Sequence, residues 1–322
     1  MRQQQARIIV WQRKSVTALY TEIFKQAKQR LKELLKPTFM YTDGKRPDEL
    51  SAHCRTKTGV KWFFENDLTK QDRQTDDPII DVEMLMYKLL GVHECVVASW
   101  HEMHKTWRFK SNKYKGFGHA MRQTGQATTA LGNAITNMQV HAKFFRNNQE
   151  KIVMIYILGD DMIALLNSFP DTKNLRADIA TFFNMESKDK VQTDHGTFCS
   201  MLVYPVDENI CEFGPDVVRM RFRYEVTNGV SEANDDNTFM RGLSYLYMLG
   251  GTNEVKQIMK VNKINLDVPM WYNFPQAIKA SAAKYNMTEE AVLGYYRNLL
   301  GMITGQPRFE HNFRHFAQSN QQ

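Results

Sequence analysis

Two adjacent aspartates between two apolar runs are the strongest chemical signal in this chain. Gly159-Asp160-Asp161 joins the run Ile152–Leu158 to the run Met162–Leu166. Apolar, partly β-branched runs around a glycine turn predict a β-hairpin with acid at its tip. Two like charges side by side disfavour each other's ionised form unless cations lie close to them. The turn is therefore either a solvated loop or half of a cation site, depending on which other residues join it.

A second pair of carboxylates follows an aromatic strand near residue 62. Asp67 ends that strand, and Asp72 comes five positions later. Asp77 and Pro78 are typical of a helix start, and the helix is predicted to run to Leu90. Its inward side chains are predicted to be Val82, Leu85, Met86 and Leu89. An acid at the end of a strand that turns into a helix is placed at a sheet edge, where α/β proteins keep their sites.

Small polar residues mark a third element. Thr124-Gly125 is predicted to be a flexible loop, followed by a helix that starts near Ala127. Thr129 and Asn133 lie four residues apart and therefore share one face of that helix. Small residues at this spacing indicate either a close helix contact or a surface that reads a sugar hydroxyl.

Basic and aromatic residues alternate over positions 101–122. The aromatic residues are Trp107, Phe109, Tyr114 and Phe117, and the basic residues are Lys105, Arg108, Lys110, Lys113, Lys115 and Arg122. This mixture suits single-stranded nucleic acid, through phosphate pairing and base stacking. The alternative is an exposed hairpin with one aromatic face.

The N-terminal 36 residues are also basic. A helix is predicted from Val16 until Pro37 stops it, with either a merely solvated basic face or a phosphate-binding segment before it. The phosphate-binding candidates are Arg2, Arg7, Arg13 and Lys14. Residues 38–60 offer only turn signals.

Composition narrows the class of protein. The chain of 322 residues has a net charge of +7, 43% hydrophobic and 24% charged residues, which is typical of a folded protein with an acidic partner. The four cysteines have no spacing typical of zinc or disulfide frameworks. No apolar run approaches the roughly 18–20 residues that span a bilayer. Beyond residue 206 the pattern is mainly helical and carries no evident chemistry, with helices predicted over Phe239–Leu249, Gln276–Tyr285 and Thr288–Gly301.

The order of these elements resembles the palm of a viral RNA-dependent RNA polymerase. Asp-x4-Asp, Thr-Gly-x3-Thr-x3-Asn and the Gly-Asp-Asp hairpin follow one another, and the resemblance covers roughly residues 1–205. The segment Phe183-Asn184-Met185-Glu186-Ser187-Lys188, leading to Phe198-Cys199-Ser200, resembles the alphavirus-like supergroup of positive-strand RNA viruses. Lys70–Asp76 favours endornavirus-like or closterovirus-like polymerases. One departure is Arg73-Gln74-Thr75, where many relatives have Lys-Ser-Gln.

The resemblance implies an α+β right-hand polymerase. The palm would hold an antiparallel sheet with an RRM-like core packed on helices. Residues 1–60 would be partial fingers with the basic segment, 61–205 the palm with a fingers insertion near 100–122, and 206–322 a helical thumb. The chain would be part of a replicase polyprotein with helicase and methyltransferase regions elsewhere.

The resemblance also implies metal-dependent nucleotidyl transfer with two Mg²⁺ ions, or Mn²⁺ in their place. Asp67 and Asp160 would be the principal ligands and Asp161 a weaker one. Lys188 would be a general acid for the pyrophosphate, with Lys190 as its local rival.

The remaining residues of the family pattern would contact nucleotide. Asp72 and Asn133 would read the ribose 2′-hydroxyl, helped by Thr129. This hydroxyl distinguishes RNA from DNA substrates. Thr124 and Gly125 would lie near template and incoming nucleotide, and Arg13 and Lys14, or Arg7, would contact the triphosphate.

The implied partners are template and nascent RNA, ribonucleoside triphosphates and other replicase regions. The implied location is the host cytoplasm, in membrane-associated replication complexes. Two rival interpretations remain at this point. One is a reverse transcriptase, which would carry a bulky residue where Asp72 and Asn133 stand. The other is a non-catalytic basic RNA-binding module.

Overall fold

We describe a computed structural model of the chain over residues 9–228, 235–306 and 309. The chain forms two compact units. The first contains the residues up to Asp43 together with Phe64–Val191, and the second contains Gly44–Phe63 and the chain from Gln192 onward. Every described residue of the predicted site belongs to the first unit.

The chain contains both helices and strands, which confirms the predicted α+β class. In chain order the helices are α1 (Lys14–Leu34), α2 (Pro47–Arg55), α3 (Gln71–Gln74), α4 (Asp77–Leu89), α5 (Glu94–Lys105), α6 (Thr129–Val140), α7 (Ala142–Asn147), α8 (Leu175–Phe183), α9 (Val217–Asn228), α10 (Asp235–Leu249), α11 (Asn253–Val261), α12 (Phe274–Tyr285) and α13 (Glu289–Thr304). The strands are β1 (Phe39–Tyr41), β2 (Trp62–Leu68), β3 (Trp107–Lys110), β4 (Lys115–Gly118), β5 (Ile152–Leu158), β6 (Asp161–Leu166), β7 (Ser187–Gln192), β8 (Gly196–Phe198), β9 (Met201–Pro205) and β10 (Cys211–Pro215).

The first unit is built on a five-stranded sheet in the order β1-β5-β6-β2-β7. β5 and β6 form the predicted antiparallel hairpin. From Met154 to Ile157 and from Met162 to Leu166 their side chains are buried, as expected for central strands covered on both faces. The prediction of an antiparallel sheet is wrong at one edge, because β1 pairs in parallel with β5, Phe39 opposite Ile155. β1 lies in the segment where the sequence offers only turn signals, and a strand of three residues leaves no periodicity to detect.

Helix α1 packs its apolar stripe against α4 and α5. Its buried side chains are Tyr20, Phe24, Ala27 and Leu31, which recur at helical spacing. The ring centroid of Trp100 on α5 lies 4.7 Å from that of Tyr20 and 5.1 Å from that of Phe24. The helix ends at Leu34, before Pro37, as predicted.

The predicted inward face of α4 is wrong. Val82, Leu85 and Leu89 are 43%, 55% and 69% exposed. The buried side chains of the helix are Ile79, Ile80, Glu83, Met84 and Tyr87. The face of α4 that is buried includes Glu83, because Glu83 forms an ion pair with Arg122 inside the unit.

The second unit combines an antiparallel sheet, in the order β10-β9-β8, with helices α2 and α9–α13. On α2, Ser51 donates to the Phe213 carbonyl at 2.9 Å, and Arg55 pairs with the buried Glu212 of β10. α10, α12 and α13 confirm the helices predicted beyond residue 206. Among the helices of the described residues, none is both long enough and apolar enough to cross a membrane.

Candidate active site

The Gly159-Asp160 turn closes the hairpin as predicted. Leu158 faces Asp161 as the last pair of the ladder, so Gly159 and Asp160 occupy the two central positions of the turn. Gly159 has φ of +58°, which a type II′ turn requires at its first central residue and which glycine adopts without strain. Asp160 and Asp161 are exposed. The hairpin therefore presents two carboxylates at an accessible tip.

Asp67 lies near the end of β2, the strand next to β6 in the sheet. Phe64 stacks on Phe144 of α7, with ring centroids 4.0 Å apart, so α7 covers the face of β2 that carries the even-numbered side chains. Asn66 and Leu68 are buried on that face, whereas Asp67 is exposed. Since successive side chains of a strand point to opposite faces, Asp67 lies on the face of β2 opposite α7.

Asp72 and Asn133, the two residues that the resemblance assigns to the ribose, lie together in the structure. Asn133 Nδ2 donates to Asp72 Oδ1 at 2.6 Å. Gln71 Nε2 donates to the Asn133 carbonyl at 3.0 Å, which ties helix α3 to helix α6. Asn133 is 5% exposed, and its Oδ1 is a buried acceptor without a hydrogen-bond donor among the described residues. Asn133 Oδ1 can therefore accept a hydrogen bond from a hydroxyl group.

Thr129 closes the loop that carries Thr124 and Gly125. Its hydroxyl donates to the Gln123 carbonyl at 2.7 Å and accepts from the Gln126 N–H at 3.0 Å. These bonds give Thr129 a role in shaping the loop, and its predicted contact with the ribose stays a prediction.

Gly125 is held by the segment before α1. Its N–H donates to the Val10 carbonyl at 2.8 Å, and a Cβ at this position would lie 2.5 Å from Trp11 Cβ. The exposed side chains of Arg13 and Lys14 follow two and three residues after Trp11. The predicted triphosphate residues therefore follow a segment that is paired with the predicted nucleotide loop. Arg2 and Arg7 lie outside the described residues.

Lys188 lies on β7, a strand that the sequence did not predict. The Thr69 N–H donates to the Glu186 carbonyl at 3.0 Å, so the end of β2 adjoins the start of β7. Lys188 and Lys190 are exposed, whereas Asp189 between them is less so and pairs with Arg176. Both lysines thus share one face of β7, close to the strand end that bears Asp67, and the choice between them stays open.

The basic aromatic stretch forms the hairpin β3–β4. Arg108 lies opposite Phe117, with its guanidinium 5.1 Å from the ring centroid, and Lys110 lies opposite Lys115. Phe117 and Tyr114 are 69% and 73% exposed. Lys105 and Lys113 are exposed as well, Lys105 with an ion pair to Glu102 at 2.8 Å.

Arg122 corrects one prediction for this stretch. Its side chain is 1% exposed, as is that of Glu83, and the two form a buried ion pair. Burial alone lowers the pKa of Arg122, but the charge and hydrogen bonds of Glu83 outweigh burial and raise it above the usual value. Because the guanidinium is buried and paired with Glu83, the prediction that Arg122 belongs to the RNA-binding surface is wrong.

Three buried residues outside the predicted site support the turn. Asn137 of α6 donates its Nδ2 hydrogens to the carbonyls of Gly159 at 3.4 Å and Asp160 at 3.0 Å. His141 Nδ1 lies 2.8 Å from the Asn137 carbonyl, and Asn66 Nδ2 lies 2.8 Å from His141 Nε2. The available signal was weak: Asn137 follows Asn133 by one helical turn.

His141 should make stability depend on pH. Burial lowers its pKa from 6.5 to about 4, and the hydrogen bond to Asn137 offsets this only in part. The unfolded chain takes up this proton as pH falls through about 6.5, whereas the folded chain does not until about pH 4. Stability from this group is therefore present above pH 6.5 and is lost between pH 6.5 and 4.

We expect that loss to amount to roughly 3 kcal/mol, at about 1.4 kcal/mol per unit of pKa. The measurement is the free energy of unfolding by urea at pH 7 and pH 4 for wild type and His141→Gln. Other titrating groups are common to both proteins and cancel in the difference. An equal pH dependence in the two proteins would show that His141 is not the group responsible.

The carboxylates suit a hard divalent cation. Asp67 on β2 and Asp160 and Asp161 at the hairpin offer the oxygen ligands that Mg²⁺ prefers. No group of three or more His, Cys, Asp and Glu side chains is arranged to hold a metal ion within the described part of the chain. Mg²⁺ is commonly held by one or two carboxylates plus substrate phosphates and water, so the donors present fit such an ion.

Comparison with known proteins gives consistent matches. The profile of a family described as RNA dependent RNA polymerase matches residues 2–241. The non-structural polyprotein of avian hepatitis E virus is 23% identical over 223 residues, 65% of this chain and 14% of that polyprotein. The RNA-directed RNA polymerase 2a of tobacco streak virus is 26% identical over 184 residues, 56% of this chain and 23% of that protein.

A third relative is the replicase large subunit of Tobamovirus Ob, 24% identical over 205 residues, which are 61% of this chain and 12% of that subunit. The chain thus spans less than a quarter of the length of each of these relatives.

Proposed function

The chain belongs to the RNA-dependent RNA polymerase family of alphavirus-like positive-strand RNA viruses, and from this premise we propose that it contains the palm of such an enzyme. The proposed reaction is template-directed ribonucleotidyl transfer. The observation that carries the proposal is the pairing of Asp72 with Asn133 just after β2. β2 carries Asp67 and lies next to β6 of the Gly159-Asp160-Asp161 hairpin. A merely solvated acidic turn would give no reason for this arrangement.

In this proposal Asp67 and Asp160 hold divalent cations, Mg²⁺ or Mn²⁺, with Asp161 in a weaker role. When bound, such ions favour ionisation of the attacking 3′-hydroxyl and stabilise charge on the leaving pyrophosphate. Lys188, or Lys190 beside it, donates a proton to that leaving group. Arg13 and Lys14 contact the triphosphate, next to the loop that holds Gly125.

Asn133 is proposed to select ribose over deoxyribose. Its buried Oδ1 accepts from the 2′-hydroxyl, while Asp72 fixes the amide through Nδ2. Asn133→Ala should reduce the preference for ribonucleotides about fivefold to a hundredfold, since such a buried hydrogen bond contributes about 1–3 kcal/mol. The measurement is the ratio of kcat/KM for a ribonucleotide and its deoxyribonucleotide. An unchanged ratio would remove Asn133 from this role.

The hairpin β3–β4 is proposed to contact the RNA backbone and bases. Lys110 and Lys115 face each other across the ladder, a pairing that destabilises a hairpin unless an anion lies beside it. Phe117 and Tyr114 offer exposed rings for stacking.

Replacing Lys110 and Lys115 together with alanine should weaken binding of single-stranded RNA. The slope of log affinity against log salt should become shallower by about 1.4, or about 0.7 for each phosphate of a single strand that a lysine no longer neutralises. Lys260→Ala with Lys263→Ala, two surface lysines of the second unit, is the matched control. An unchanged slope would contradict the assignment of the hairpin.

The wider arrangement is proposed on the same basis. Residues 1–60 and the insertion near 100–122 belong to the fingers, 61–205 to the palm and 206–322 to a helical thumb. The partners are template and nascent RNA, ribonucleoside triphosphates and other regions of a replicase polyprotein. The proposed location is the host cytoplasm, in membrane-associated replication complexes.

Single-nucleotide extension of a primed RNA tests the proposal. Four templates that differ only in the first unpaired base are each offered one ribonucleotide with Mg²⁺. Addition of the complementary nucleotide on each template is expected. Binding of the primed RNA without any addition would instead favour a non-catalytic RNA-binding module, and efficient addition of deoxyribonucleotides would favour a reverse-transcriptase-like enzyme.

A further inference from the structure

The carbonyls of the Gly159-Asp160 turn have a buried donor. Both lie beyond the last ladder pair of the hairpin, Leu158 with Asp161. Carbonyls at a hairpin turn normally bond to water, but Asn137, whose side chain is fully buried, donates to both. The backbone that carries Asp160 is therefore fixed by helix α6 as well as by its own strands.

The chain of hydrogen bonds continues to β2 through His141. A backbone carbonyl only accepts, so His141 Nδ1 carries the proton in its bond to the Asn137 carbonyl. His141 Nε2 is then an acceptor, and Asn66 Nδ2 donates to it. His141 and Asn137 are 0% exposed and Asn66 is 3% exposed. Every bond in this series has a defined direction.

Asn66 directly precedes Asp67. The Asn66 side chain points to the covered face of β2, opposite the face of Asp67, so its bond to His141 fixes the end of the strand without touching the carboxylate. At the other end of the series, Asn137 fixes the turn from behind. The series therefore connects β2, which carries Asp67, to the turn that carries Asp160.

We propose that Asn137, His141 and Asn66 are positioning residues that set the separation of Asp67 and Asp160 for divalent-cation binding. The inference rests on the proposed function, in which these two carboxylates hold the cations. In this proposal the three buried side chains touch neither the substrate nor the cation. They act through the backbone on either side of the site, as outer partners that orient metal ligands do.

The test uses the full chain and Mn²⁺ as the probe, with free Mn²⁺ measured by electron paramagnetic resonance. Asn137→Leu removes the amide donor and keeps the volume of the side chain. His141→Leu removes both ring contacts, whereas His141→Gln offers an oxygen where Nε2 lies and retains the acceptor for Asn66. Asn148→Ala is the matched control. Asn148 is 1% exposed, and its side chain bonds to Phe144 and Asp171, away from the turn.

Loss of an outer partner typically weakens metal affinity tenfold to a hundredfold. We expect Asn137→Leu and His141→Leu to weaken Mn²⁺ binding at least about tenfold. His141→Gln should remain within about threefold of wild type, and Asn148→Ala should lower stability without changing Mn²⁺ affinity. In single-nucleotide extension the two leucine variants should lower kcat and raise the Mg²⁺ requirement, while the nucleotide KM changes less than about twofold.

The controls separate the two proposals. A wild-type chain that neither binds Mn²⁺ nor adds nucleotide would overturn the proposed function, and this inference with it. A wild type that does both, with folded Asn137→Leu and His141→Leu variants of unchanged Mn²⁺ affinity, would overturn the inference alone. Should Asn137→Leu not fold, the difference between His141→Leu and His141→Gln decides, because a purely structural role would lower stability without a selective loss of Mn²⁺ affinity.

Discussion

Asp160→Asn should reduce ribonucleotide addition by at least about a thousandfold. The substitution keeps the size of the side chain and replaces a charged oxygen ligand with a neutral amide. A bound cation contributes several kcal/mol to stabilising the charge that develops in phosphoryl transfer, and each 1.4 kcal/mol lost corresponds to about tenfold in rate. The measurement is the single-turnover rate of first-nucleotide addition.

RNA affinity should remain within about twofold of wild type in this variant, because the assigned RNA contacts lie on other elements. Asp161→Asn should lose less activity than Asp160→Asn, and Asp267→Asn, at an exposed aspartate of the second unit, should keep the full rate. A folded Asp160→Asn chain with more than a tenth of the wild-type rate would contradict the assigned role.

Glu83→Gln should lower the free energy of unfolding by about 3–5 kcal/mol, the usual cost of leaving one partner of a buried ion pair alone. Glu83 accepts from Arg122 Nη1 at 3.1 Å, from Arg122 Nη2 and from Tyr87 Oη. A neutral amide cannot balance the guanidinium, which is 1% exposed. The pair has no room to relax, since a Cβ on Gly132 would lie 2.2 Å from Arg122 Nη1.

Urea unfolding followed by circular dichroism measures this effect. Glu22→Gln makes the same chemical change in an exposed ion pair, whose side chains are 57% and 74% exposed, and should shift stability by less than about 1 kcal/mol. Replacing Glu83 and Arg122 together with leucine and methionine should cost less than Glu83→Gln, because no charge is left buried. Equal stabilities of Glu83→Gln and wild type would show that the ion pair does not hold α4 in place.

Residues with local signals were predicted well. The apolar runs around Gly159 predict the β5–β6 hairpin. The local pattern also places Asp67 near the end of a strand, and it places Thr129 and Asn133 on one helix. Asp72 and Asn133, which were predicted to act on the same ribose hydroxyl, are joined by a hydrogen bond, and their contact with the ribose stays a prediction. The predicted resemblance to polymerases of the alphavirus-like supergroup is also confirmed. The assigned catalytic roles, the leaning towards endornavirus-like or closterovirus-like polymerases and the subdivision into fingers, palm and thumb stay predictions.

Features that depend on distant partners were not predictable. The orientation of α4 depends on Arg122, which is 39 residues from Glu83 in the chain, and a charged residue in a helix is ordinarily assigned to the surface. The same reasoning placed Arg122 on the RNA surface. The role of Asn137 and His141 depends on their hydrogen bonds to the turn and to Asn66 of β2. Strand β1 is defined by its pairing with β5. In each case a partner distant in the sequence, and not the local sequence pattern, determines where the residue or element lies.

The most direct test of the central claim is first-nucleotide addition by wild type and Asp67→Asn over a range of Mg²⁺ concentrations. Asp67 comes from β2 and Asp160 from the turn between β5 and β6, so the claim that they share cations predicts that loss of either carboxylate disables the site. The wild-type rate should rise from zero in EDTA as Mg²⁺ is added. Asp67→Asn should stay at least about a hundredfold slower at every concentration, since one carboxylate ligand contributes several kcal/mol through the cation it holds. A folded Asp67→Asn chain that adds nucleotides at the wild-type rate, with the same Mg²⁺ dependence, would contradict the claim.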